Sequence, residues 1–158
     1  MKYLKIAFLL LPLLGFAQQP ERTTPKPMAA AIIVEDIERS SQWYSMVLKL
    51  SMDPRTFVDM ENVKILNMFN DGFNLELIQL KKAVDPAQAI EGYTNRTRLL
   101  GLFKLGYGVE DFDTWVAYLK EIEVEFSGSV VVDPNSKDGK RMVNIKDPDG
   151  NRIQFFEL

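Results

Sequence analysis

The fold of this chain is decided by its last 13 residues, Lys146-Asp147-Pro148-Asp149-Gly150-Asn151-Arg152-Ile153-Gln154-Phe155-Phe156-Glu157-Leu158. The Pro-Asp-Gly sequence in this stretch favours a tight turn, because proline presets the first turn dihedral and glycine accepts the positive φ that follows. The residues after the turn have the composition of a β-strand. The stretch therefore predicts the turn and the return strand of a β-hairpin.

The same construction occurs 78 residues earlier, at Asp71-Gly72-Phe73-Asn74-Leu75-Glu76-Leu77-Ile78-Gln79-Leu80. A second echo, offset by 75 residues, joins Val34-Glu35-Asp36-Ile37 to Val109-Glu110-Asp111-Phe112. Each acidic motif opens a segment whose apolar residues recur at helical spacing. Two echoes in the same order and at nearly the same spacing predict a duplicated module.

Each copy predicts a module of the order βαβββ. In module one, residues 28–80, a strand at 29–34 and a helix capped by Asp36 precede strands at 57–60, 63–69 and 74–80. In module two, residues 102–158, a strand at 103–109 and a helix from about Asp113 precede strands at 129–132, 141–146 and 151–158. A connector, residues 81–101, is predicted to contain a short helix at 86–90 with Asp85 as its cap. The predicted fold class is α+β, with the two βαβββ modules forming an open, curved mixed sheet around a cleft.

The N-terminus predicts export. Residues 1–17 begin with two lysines and continue with a short apolar run that ends in the small residues of a cleavage site, which is typical of a signal peptide. Residues 18–27 contain three prolines and little apolar content, so they are predicted to be a linker. We expect a mature protein in the periplasm or outside the cell, with no membrane attachment after cleavage.

Composition excludes several classes of function. The chain contains no histidine and no cysteine, which rules out Ser-His-Asp and Cys-His catalysis and any metal site built on imidazole or thiolate. Its formal net charge is -3, without a basic block, so nucleic acid is not an expected partner.

Alternate residues of a strand point to opposite faces, and this parity separates a core face from a second face. The second face mixes small residues with a few polar ones, and it collects Ala29, Ala31, Ile33, Asn74, Glu76, Ile78, Lys104, Gly106, Gly108, Arg152, Gln154 and Phe156. Small side chains leave room for a ligand, which favours the wall of a cleft over a solvated outer face. We call this second face the cleft face.

The chain resembles the vicinal oxygen chelate superfamily, the group of glyoxalases, bleomycin-resistance proteins and extradiol dioxygenases. The resemblance is carried by Val34–Ser40 running into Trp43-Tyr44 and Val47-Leu48, by Lys146–Ile153, and by the duplicated βαβββ order. It covers essentially everything after the linker. It implies the glyoxalase-like fold and a homodimer.

In metal-using members of that superfamily, four positions on four cleft strands carry His or Glu ligands. Carried over by distance from the motifs, these positions fall on Ala29, Glu76, Lys104 and Gln154. Alanine has no donor atom and a protonated lysine repels a cation, so the metal site is predicted to be degenerate. No cofactor is expected, with a divalent metal on Glu76 and Gln154 as the alternative.

We hypothesise that Lys104 takes the place of the metal and pairs with Glu76 across the cleft. The same two residues are the candidates for an acid-base couple, because desolvation eases deprotonation of a lysine and hinders ionisation of a carboxylate. The predicted ligand-binding residues are Ala29, Asn74, Glu76, Lys104, Arg152 and Gln154.

Three functions remain open at this point. The leading one is an exported protein of the glyoxalase and bleomycin-resistance type that binds a small organic molecule without a metal. The second is a divalent-metal-dependent lyase, epimerase or dioxygenase of the same superfamily. The third is a non-catalytic interaction module whose cleft is empty.

Overall fold

The structure is a computed structural model that describes residues 27–94, 97 and 99–158. The predicted signal peptide lies outside the described residues, as does the predicted linker except for Pro27. No helix within the described part has the length and apolar composition needed to span a bilayer.

Module one follows the predicted βαβββ order with one addition. Asp36 caps the helix as predicted, because its carboxylate accepts a hydrogen bond of 2.8 Å from the backbone N–H of Arg39. A two-residue strand, which is too short to show a period-2 pattern, follows the helix, and a 3-10 turn at Pro54–Thr56 leads into the next strand. The elements are β1 (Ala29–Val34), α1 (Ile37–Leu48), β2 (Ser51–Met52), β3 (Val58–Met60), β4 (Val63–Asn70) and β5 (Phe73–Leu80).

Module two repeats this order after the connector. The predicted connector helix is present as α2 (Pro86–Ala89), with Asp85 as its cap. The remaining elements are β6 (Leu105–Val109), α3 (Phe112–Glu121), β7 (Val131–Val132), β8 (Arg141–Lys146) and β9 (Arg152–Glu157). Because β6 begins at Leu105, Lys104 directly precedes the strand in which it was predicted to lie.

The strands form two mixed sheets of the same topology, one in each module. The first sheet has the order β1-β5-β4-β2, with β3 also paired to β4, and the second has the order β6-β9-β8-β7. In each sheet the first strand runs parallel to the last strand of its module, while the other pairs are antiparallel. The predicted α+β class is confirmed. The strands of the described residues form two sheets, one in each module, instead of one continuous sheet.

Both sheets bury one face in a single hydrophobic core. The parity argument is confirmed for its buried face, since Val34, Leu77 and Phe155 are almost completely shielded from solvent. Helices α1 and α3 cover this face with Tyr44, Val47, Leu48, Val116 and Leu119. The opposite face of each sheet, the cleft face, is therefore left free of helices.

The C-terminal hairpin turn joins the two modules through a buried carboxylate. Within the turn, Asp147 accepts hydrogen bonds from the backbone N–H groups of Asp149 and Asn151, at 3.0 and 2.7 Å, and from the side-chain amide of Asn151 at 2.9 Å. Its remaining contact crosses to module one, where the Tyr44 hydroxyl on α1 donates to Asp147 Oδ2 at 2.8 Å.

A second acid of the same turn reinforces the connection. Asp149 accepts hydrogen bonds from the guanidinium of Arg39 at 2.5 Å and from the Ser40 hydroxyl at 3.2 Å, both on the first turns of α1. The Asp-Pro-Asp-Gly turn thus fastens the second sheet to the helix of the first module.

Burial governs the ionisation of this contact. Desolvation raises the pKa of Asp147 above its usual range, and the hydrogen bonds from Asn151 and Tyr44 offset only part of that effect. Desolvation and the neighbouring carboxylate raise the pKa of Tyr44 as well. The hydroxyl therefore stays protonated and remains a donor to Asp147.

Tyr44→Phe is expected to lower the free energy of unfolding by about 1.5 to 3 kcal/mol, because it removes a buried hydrogen bond to a charged group. Tyr107→Phe is the matched control, since the buried Tyr107 hydroxyl has no partner among the described residues and burial raises its pKa to about 12. Removing that hydroxyl is expected to change the unfolding free energy by less than about 0.5 kcal/mol or to stabilise the protein. Urea denaturation of both variants measures the difference, and equal losses would contradict the role assigned to Asp147.

Candidate ligand-binding site

The cleft face of module one places an acid between an amide and an alanine. Glu76 lies on β5 with Ala31 beside it on β1 and Asn67 opposite it on β4. Two residues earlier on β5, Asn74 lies beside Ala29 and donates a hydrogen bond of 3.0 Å to Asn67 Oδ1. Glu76 makes no ion pair with any described residue, and its side chain is half-buried.

The cleft face of module two is more cationic. Gln154 on β9 faces Asn144 on β8, and Arg152 faces Lys146 in the same ladder. Gln154 is only 4% exposed, and its amide nitrogen contacts Met142 Sδ at 2.9 Å. This face thus contributes amides, cations and a thioether.

Lys104 contacts module two and not Glu76. Its ammonium donates to Gln154 Oε1 and lies 5.0 Å from the centroid of the Phe156 ring. None of the ion pairs among residues 27–94, 97 and 99–158 joins it to Glu76, so the predicted Glu76–Lys104 pair is wrong. The physical reason is that β6 and β9 are neighbours in one sheet, which brings Gln154 within reach of Lys104, whereas Glu76 belongs to the other sheet.

The glycines of β6 do not leave room for a ligand. A Cβ atom at Gly106 would lie 3.2 Å from the ring of Phe156, and one at Gly108 would lie 2.5 Å from Leu158 Cδ2. These side chains already fill the space. The prediction that the small residues leave room for a ligand is therefore wrong for module two. In module one Ala29 and Ala31 are exposed, in accordance with an open surface.

Shallow grooves lie toward the ends of the module-one sheet. One groove of about 300 Å³ is lined by Met28 and residues 69–74, and it includes Asn74. Another, of about 500 Å³, is lined by Ile33, Asn62 and residues 80–83. Glu76, Lys104 and Gln154 line neither groove. Asn74 is the one predicted ligand-binding residue that lines either of these two grooves.

Two buried acceptors on the cleft face have no partner. The side-chain carbonyl oxygens of Asn74 and Asn144 are shielded from solvent and make no hydrogen bond with a described residue. A buried carbonyl without a donor costs free energy, so each is suited to accept a hydrogen bond from a ligand. Sequence reasoning identified Asn74 but missed Asn144 and Asn67, although parity within their strands would have placed both on this face.

Comparison with known proteins identifies the class. Residues 27–155 match the model of the Glyoxalase/Bleomycin resistance protein/Dioxygenase superfamily, and the chain belongs to that superfamily. No curated protein matches the chain.

Solved structures agree with this assignment at the level of the fold. A glyoxalase family protein from Enterococcus faecalis is 21% identical, with a TM-score of 0.70 over 84% of this chain and 97% of that chain. A glyoxalase/dioxygenase from Nostoc punctiforme is 20% identical, with a TM-score of 0.64 over 96% of this chain and 97% of that chain. A lactoylglutathione lyase from Agrobacterium tumefaciens is 18% identical, with a TM-score of 0.56 over 88% of this chain and 96% of that chain.

The four residues predicted to occupy the superfamily's metal positions do not fit a metal ion. Ala29 offers no donor atom, and Lys104 places an ammonium against Gln154 Oε1, the oxygen that would have to bind the ion. This leaves the Glu76 carboxylate, which alone is a weak ligand set for a transition metal. No group of three or more acidic residues in the described part of the chain is arranged to hold an ion.

A double-mutant cycle separates the observed contact from the predicted one. Lys104→Met and Gln154→Met are expected to couple by about 0.5 to 1.5 kcal/mol, because the pair shares a partly buried hydrogen bond. Lys104→Met and Glu76→Gln are expected to add within about 0.5 kcal/mol, since no ion pair joins the two groups and the Lys104 ammonium contacts Gln154 of module two instead. Unfolding free energies in urea give both values, and coupling to Glu76 instead of Gln154 would refute the arrangement described.

Proposed function

We propose that this protein binds a small organic molecule on its cleft face without a metal, in the manner of the bleomycin-resistance branch of its superfamily. The observation that carries the proposal is the Lys104 ammonium bonded to Gln154, two residues that the resemblance predicts to occupy metal-ligand positions of the superfamily. A fixed cation there disfavours a second one by electrostatic repulsion.

The polar groups of the cleft face support a ligand with several hydrogen-bonding atoms. Glu76 offers an acceptor without an ion-pair partner among the described residues, and the carbonyl oxygens of Asn74 and Asn144 offer two more. Organic ligands are oriented by a small number of such groups on an otherwise apolar wall. Phe156 and the exposed Ile33 supply apolar surface on the same face.

A ligand screen by thermal shift, with and without prior chelator treatment, tests this proposal. Binding compounds are expected to raise the melting temperature equally in both preparations, and Asn144→Leu is expected to weaken them about tenfold by removing an acceptor. Gln42→Leu is the matched control, because Gln42 is an exposed amide on α1, which packs on the core face. Stoichiometric metal by elemental analysis, or hits that disappear after chelation, would favour the metal-dependent enzyme, and the absence of any hit would favour the interaction module.

We further propose that the protein is exported, on the strength of the sequence of residues 1–17. Expression of the full chain in a secreting bacterial host is expected to give a periplasmic or extracellular product whose N-terminus follows Ala17, as read by mass spectrometry. Lys2→Glu/Lys5→Glu removes the positive start of the signal and is expected to retain the uncleaved chain in the cytoplasm. An uncleaved wild-type product would refute export. The homodimer stays a prediction.

A further inference from the structure

Three cations line one row of the module-two sheet on the cleft face. Lys146 on β8 directly faces Arg152 on β9. Lys104 lies one residue before the first β6–β9 pair, and its side chain reaches Gln154 and Phe156 on the same face. We call Lys146, Arg152 and Lys104 the cationic row.

The cationic row has no acidic partner among the described residues. The other arginines in that part of the chain, Arg39, Arg55 and Arg141, each form an ion pair with an aspartate or a glutamate. Arg152 forms none, and its guanidinium lies 4.6 Å from the centroid of the Phe103 ring. Its donors remain available for another acceptor.

This arrangement costs stability in the absence of a counter-ion. Like charges directly opposite each other in an antiparallel pair are destabilising. The chain as a whole has a formal net charge of -3, so a general excess of basic residues does not explain the row. An anionic ligand would supply the opposite charge that the described residues do not place beside the row.

The duplication provides an internal comparison. The equivalent row of module one contains Ala29, Asn74 and Phe69, which are paired across β1, β5 and β4. That row is neutral, although the two sheets have the same topology. The fold therefore does not require cations at these positions.

We propose that the cationic row binds the oxyanion group, a carboxylate or a phosphate, of the small molecule held by the cleft. This inference rests on the proposed function and adds the chemical class of its ligand. Arg152 supplies the planar donor pair that matches an oxyanion, and Lys104 and Lys146 supply point charges on either side.

The neighbouring amide defines a second requirement on the ligand. Asn144 lies two residues from Lys146 on β8, and its carbonyl oxygen is an unpartnered acceptor on the same face. The ligand is therefore a small organic anion that also carries a hydroxyl or amino donor for this oxygen.

Thermal shift and titration calorimetry at constant ionic strength test the row, with sodium acetate as the carboxylate probe and sodium phosphate as the phosphate probe. At least one probe is expected to stabilise the wild type with a saturable dose response. The probe with the larger response identifies the oxyanion. Arg152→Gln/Lys146→Gln is expected to weaken this binding by about tenfold or more, because it removes two charge-assisted contacts.

The matched control removes two exposed lysines that lie elsewhere. Lys120→Gln/Lys137→Gln changes the net charge equally, and it is expected to keep the wild-type response. Without any probe, the Arg152→Gln/Lys146→Gln variant is expected to melt at or above the wild-type temperature, since a repulsive pair is gone. A purely structural role for the row would instead lower that temperature.

The inference is overturned by a wild type without a saturable response to either probe, or by a response that persists in Arg152→Gln/Lys146→Gln. Ligand-screen hits that are neutral and bind this variant as well as the wild type would overturn it while leaving the proposed function intact. A saturable probe response without any organic hit would count against the proposed function and not against the row.

Discussion

The structure depends on one buried carboxylate. Asp147 organises its own turn through three hydrogen bonds and reaches across to Tyr44 through a fourth. A carboxylate at this depth is costly unless its acceptor sites are occupied, and here each oxygen has partners. Because the donors come from both modules, the hydrogen bonds that satisfy the Asp147 carboxylate also join the two modules. The conformation of the C-terminal hairpin and the position of α1 are therefore fixed together.

Most of the fold could be predicted from the sequence, because its signals are local. The Asp-Gly turns, the acidic caps at Asp36 and Asp111 and the alternation in β5 and β9 each act within a few residues, and their repetition revealed the two modules. Strand β2 escaped prediction because two residues carry no periodicity. Lys104 was assigned to a strand that begins one residue later, since element boundaries carry the weakest local signal.

The candidate site was only partly predictable. Parity placed Asn74, Glu76, Arg152 and Gln154 on one face, but parity does not tell which residues of that face touch. The contact of Lys104 with Gln154 depends on strand order within a sheet, and the filling of Gly106 by Phe156 depends on side-chain packing. Both are tertiary properties. The glycines of β6, from which an open wall was predicted, are instead covered by the side chains of Phe156 and Leu158.

The division into two sheets has a mechanical consequence. Main-chain ladders resist sliding, whereas contacts between side chains allow small shear displacements of packed elements. In the described residues, no backbone ladder joins the two modules. The hydrogen bonds from Arg39, Ser40 and Tyr44 to the C-terminal turn do connect them. The separation of the two cleft walls is thus set from behind the sheets, by the shared core and by polar contacts of α1, among them those of Tyr44 with Asp147 and of the Met46 carbonyl with the Tyr118 hydroxyl of α3. The aperture could be retuned by evolution at α1 without altering any residue that faces its occupant.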